Sequence, residues 1–197
     1  NDDDDVSQFH SVVEEVIINE DESDYTIGNQ CVSEIEFDGK SKGFEGAVGL
    51  KSADGTLYLL GLCEGNNCKE GKAGQDRGNG KVVLMKKVNN VQGLVGGYTC
   101  QWKTVRVMNL PKSAKFKDYS AISINPEGRV AITSQEDSQV WISQLTEFKN
   151  GFFDPELSEF DDKKAKVYDF PRDGGCNVVY CNVEGIHWFG SGNKYIL

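Results

Sequence analysis

The chain has 197 residues, with 31 acidic against 21 basic side chains and a formal net charge of −10 at pH 7. An acidic surface with no dense Lys/Arg tract repels phosphate backbones, so nucleic-acid binding is not expected, and no apolar run has the length needed to span a bilayer. With 22 Gly, 4 Pro and frequent β-branched and aromatic residues, the composition leans towards one all-β domain of short strands and tight turns.

Residues 1–8 read as a solvated acidic lead-in. Asp2–Asp5 lacks the glycine and the closing glutamate of a calcium loop. No signal-peptide pattern stands at Asn1, so any targeting segment is expected to be absent or already removed. His10–Ile18 is a strand candidate, with a helix as its rival because Glu14 and Glu15 are good helix formers. Tyr25–Ile27 and Val32–Phe37 offer further extended chain. Phe44–Leu50 and Thr56–Cys63 flank Asp54-Gly55, a strong hairpin signal. The polar stretch Glu64–Gly80 leads to strands at Val82–Val88 and Gln101–Leu110.

Tyr119–Leu145 holds three apolar runs, Ala121–Ile124, Val130–Thr133 and Val140–Leu145. Their connectors are Asn125-Pro126-Glu127-Gly128 and Gln135–Ser138, the pattern of an antiparallel meander. A charged loop, Thr146–Lys163, precedes a strand at Ala165–Phe170. The chain closes with Val183–Phe189, a Gly190–Asn193 turn and Lys194–Leu197.

Three of these segments repeat. Each opens with an apolar or aromatic residue, then Glu45-Gly46, Ser120-Ala121 or Glu184-Gly185, then more apolar chain and a turn. The marker positions Glu45, Ser120 and Glu184 are 75 and 64 residues apart, room for four strands and a long loop. A four-stranded antiparallel sheet recurring in this way is a β-propeller blade, which must stack on its neighbours to cover both apolar faces. The expected division is a partial blade at 9–37, whole blades at 43–110 and 118–170, and a partial blade at 182–197. That is about three blades, half of a six-bladed ring, so a second chain or a further segment of the same protein is expected to complete it.

Six cysteines permit fifteen pairings, and Cys63/Cys68 and Cys176/Cys181 share a spacing that can close a small loop. Paired cysteines fit an oxidising, extracytoplasmic or secreted setting; reduced buried thiols are the alternative. His10 and His187 stand too far apart in sequence for a zinc site. Inner strands line a propeller's channel, so Glu45 and Glu184 either converge on a hard cation such as calcium or accept hydrogen bonds from loop amides, with Ser120 lining the channel between them. Lys69, Lys72, Arg77 and Lys81 are candidates for holding a small anion, although their spacing fits no P-loop and a solvated loop is the simpler reading. Trp102, Trp141 and Trp188 read as core between blades, and His187 as packing there too.

Glu184-Gly185-Ile186-His187-Trp188 resembles the Glu-Gly-Pro-x-Trp stretch of the six-bladed, calcium-dependent gluconolactonase and senescence-marker family. The recurring Glu-Gly opening also looks like the esterase-like phytase propellers. The resemblance implies that Glu184, and Glu45 by repeat, are metal ligands in lactone, ester or phosphoester hydrolysis; Ile186 departs from the family proline. Two functions are therefore expected: a binding or scaffolding propeller, or a calcium-dependent hydrolase working in the central channel.

Overall fold

The computed structural model describes residues 9–39, 42–175, 177, 179, 182–189 and 195–196, with backbone alone for residues 95, 195 and 196. The acidic lead-in, Cys176, Cys181 and the whole Gly190–Asn193 turn lie outside the described residues.

Among the described residues the fold is all-β apart from one single-turn helix, α1 (Gly71–Gly74), and short 3₁₀ turns. Strands β1 (Phe9–Ile18), β2 (Tyr25–Phe37), β3 (Phe44–Lys51), β4 (Leu57–Cys63), β5 (Lys81–Asn89) and β6 (Cys100–Asn109) make one sheet in the order β1-β2-β6-β5-β4-β3. Its neighbours are antiparallel except β2 beside β6, which are parallel through Val32↔Gln101 and Ser33↔Trp102. A second sheet is an antiparallel meander of β7 (Ala121–Ile124), β8 (Arg129–Ser134) and β9 (Gln139–Gln144), continued by β12 (Lys166–Asp169). Two small hairpins complete the fold: β10 (Phe148–Lys149) with β11 (Phe152–Phe153), and β13 (His187–Trp188) with β14 (Tyr195–Ile196).

The turns form where their residues permit. Asn125 Oδ1 accepts hydrogen bonds from the amides of Glu127 at 3.0 Å and Arg129 at 2.8 Å, and Gly128 takes the positive φ of 78° that closes the β7–β8 turn.

The uninterrupted apolar runs of β4 and β5 follow from burial on both faces. Leu60, Leu62, Val82 and Leu84 pack towards the second sheet on Ile122, Val130, Ile132 and Trp141. Leu59, Cys63, Val83 and Met85 face the other way and pack with Cys31, Phe37, Cys100 and Trp102. A third cluster covers the far face of the second sheet, where Trp188 and Phe170 lie on Ala131, Val140 and Ile142. All three tryptophans are buried.

Residues 9–37 differ from their expected place. They are not strands of a separate sheet: β2 joins the β6 edge, and the Cys31–Cys100 disulfide staples it there. The Phe37 ring then meets Phe44 edge-on at 5.2 Å, and Phe44 begins β3, the opposite edge. The N-terminal hairpin therefore crosses the sheet's outer face, which Phe9, Val13, Ile35 and Phe37 help to cover. Two stretches, read as a charged loop and a polar loop, are also folded. Phe148, Phe153 and Phe160, between β9 and β12, reach the central core, and Phe153 packs edge-on against Tyr58. The stretch between β4 and β5 is closed by the Cys63–Cys68 disulfide.

Candidate functional site

β7 lies between β3 and β13 in the stack. The contact of β3 with β7 depends on glycine: a Cβ on Gly46 would stand 2.9 Å from the Ile122 backbone nitrogen, so a larger residue would push the strands apart. Beside Gly46, Glu45 is accessible to solvent but crowded. Its carboxyl is held above the ordinary range, first by partial burial and then by the charge of Glu64; Glu184 and Asp118 push the same way, and Lys42 opposes them. Carboxylates on β3, just after β4, and in the lead-ins to β7 and β13 thus share one electrostatic neighbourhood.

Sequence reasoning missed two members of that group. Asp118 is the residue before Tyr119, and burial raises its pKa although the Ser134 hydroxyl and the Glu136 amide donate to it. Glu64 directly follows β4; its Oε1 accepts from Lys42 Nζ at 2.5 Å, while Oε2 is buried and has no hydrogen-bond partner among the described residues. Lys42, Glu64, Lys69, Lys117, Asp118 and Glu136 line a cavity of about 150 Å³ at this end of the molecule. The signal for Asp118 lay two positions before Ser120, on the same side of an extended chain.

Ser120 does not line an open channel. It is buried, and its hydroxyl shares a 3.0 Å hydrogen bond with the Thr133 hydroxyl. Glu184 is exposed and accepts from Asn182 Nδ2 at 2.7 Å. His187 is exposed rather than packed between sheets. The four cations of the expected anion loop are drawn to separate places. Lys69 pairs with Asp38 at 2.6 Å and Arg77 with Asp137 at 2.7 Å. Lys81 reaches Asn109 Oδ1, and Lys72 sits in α1.

Asn66 explains why that loop is built rather than solvated. It is fully buried, and its Nδ2 donates to the carbonyls of Gly74, Phe116 and Lys117 at 3.0, 3.2 and 3.0 Å. Its Oδ1 accepts from the Asn79 amide at 2.9 Å and the Tyr119 hydroxyl at 3.2 Å. One side chain thereby ties the β4–β5 loop to the segment that enters β7, and with it the placement of Glu64 relative to Asp118.

Among the described residues, no three His, Cys, Asp or Glu side chains come close enough together to hold one metal ion. The carboxylates interact through space without forming a cage. No helix of the described residues is long and apolar enough to cross a membrane. Comparison with protein families, with curated proteins and with solved structures finds no match to the chain.

Proposed function

We propose that the chain is an extracytoplasmic binding and scaffolding module whose sheets are successive β-propeller blades, completed by another chain or a further segment. The observation that carries this reading is the bare end of the N-terminal hairpin. Val16 pairs with Ile27 and Ile18 with Tyr25, so all four share one face, and they are 45–65 % exposed. A contiguous apolar face of this kind marks an interaction surface. The stacking of β3, β7 and β13, each sheet covering the next, supports the blade interpretation. The two disulfides suit an oxidising compartment.

A second reading is favoured by the shared neighbourhood of Glu45, Glu64, Asp118 and Glu184: a calcium-dependent hydrolase of lactones, esters or phosphoesters, as the family resemblance implies. Thermal unfolding with calcium or with a chelator, together with a panel of lactone, ester and phosphoester substrates, separates the two. The module reading predicts the same Tm in both conditions and turnover at the buffer rate. Calcium-dependent stabilisation and turnover, both lost in Glu184→Gln, would establish the hydrolase instead.

A further inference from the structure

We propose that the completing partner is a second copy of this chain, with the N-terminal hairpin of each copy docked in a cationic groove on the second sheet of the other. The proposal rests on the module reading and names its partner.

The groove lies on the face of the second sheet that points away from the first. Register places Gln144 opposite Arg129, Lys166 opposite Ile142, and Tyr168 opposite Val140, all on that face. Trp188 and Phe170 cover one part of the face. The rest is a groove of about 590 Å³ lined by Arg129, Ile142, Gln144, Lys164, Lys166 and Tyr168. Glu127 also lines it, which leaves three cations against one carboxylate. Arg129 stacks over Trp188 at 5.7 Å, and Lys164 lies 3.8 Å from Asp161. Lys166 makes no ion pair among the described residues. A net-positive groove, with Ile142 and Tyr168 as its apolar members, is unusual on a chain of net charge −10.

The hairpin end is its chemical complement. Between Glu14 and Asp24 the sequence carries six acids and no base. Glu15 is engaged by Lys87 and Asn29, but Glu20, Asp21, Glu22 and Asp24 surround the apolar face of Val16, Ile18, Tyr25 and Ile27. Two such ends repel each other, and so do an end and an anionic membrane, whereas an end and the groove are opposite in charge, and Ile142 and Tyr168 offer the apolar face a place to rest. Both are also sheet edges. β1 and β12 are the outermost strands of their sheets, each with one row of backbone groups unpaired among the described residues, so strand can add to strand.

A chain cannot make this contact with itself. The hairpin crosses the outer face of the first sheet and the groove lies on the outer face of the second, so both sheets stand between them. The contact is therefore head to tail, and two copies making it twice form a closed ring. In the blade interpretation this is two three-blade halves.

Light scattering at high micromolar concentration and low salt tests the pairing. The wild type is expected to run at twice the 21.8 kDa chain mass and to weaken at high salt. Ile18→Asp with Tyr25→Asp, and separately Lys164→Glu with Lys166→Glu, alter exposed or groove-lining side chains and are each expected to raise the dimer dissociation constant at least tenfold. A one-to-one mixture of the two variants is expected to restore dimers, because one hairpin and one groove remain intact between them. A monomeric wild type, a dimer indifferent to both variants, or a mixture that stays monomeric would each overturn the pairing. Those results leave the module reading standing; calcium-dependent turnover is what defeats that.

Discussion

Glu45 and Asp118 hold their protons more tightly in the folded chain than an unfolded one would. Between the unfolded and folded pKa values the native state binds more protons, so their contribution to stability falls as pH rises and stays low above the folded values. Glu45→Gln removes one charge from the crowded carboxylates. It should raise Tm at neutral pH by on the order of 1 °C, with the gain falling away as pH drops below the ordinary glutamate range and the Glu45 carboxyl is protonated in folded and unfolded chain alike. Scanning calorimetry at neutral and at acidic pH checks this. Asn66→Ala acts in the opposite direction. The carbonyls of Gly74, Phe116 and Lys117 and the amide of Asn79 lose their partner, a loss of about 3 kcal/mol measurable by urea unfolding. Glu45 stood out beforehand through its place in the repeat, whereas Asn66 did not. An asparagine in a Gly- and Lys-rich stretch looks like any turn residue until Phe116 is folded against it, 50 positions away.

At the scale of elements, strands β3 to β9 were readable because each is a short apolar run between turn formers, and the Asp54-Gly55 and Asn125–Gly128 turns close where their chemistry allows. Local sequence carries no comparable signal for the parallel β2–β6 pairing, which Cys31 and Cys100 fix across 69 positions. It also hides phenylalanines that fold back from a charged loop. A staple across so long a loop constrains the unfolded chain strongly. Cys31→Ser with Cys100→Ser should therefore lower stability by about 2–4 kcal/mol and expose the β1–β2 hairpin to proteolysis within residues 19–24. Opening Cys63–Cys68, which spans 5 positions, should cost less. Limited proteolysis beside urea unfolding distinguishes the two staples.

For the whole molecule, the repeat read from Glu45, Ser120 and Glu184 captured which strands lie side by side but not how the carboxylates are distributed. The carboxylate from the middle segment is Asp118, while Ser120 turns inward to Thr133. The N-terminal segment was the larger surprise, since crossing the first sheet leaves its apolar end standing free among acids. That end is the centre of the functional account. Hydrogen exchange at the β1 amides, followed as chain concentration rises, tests it most directly. β1 is expected to become protected as the chain associates, and Lys164→Glu with Lys166→Glu to remove the protection. Exchange at β1 that is the same at every concentration would contradict this.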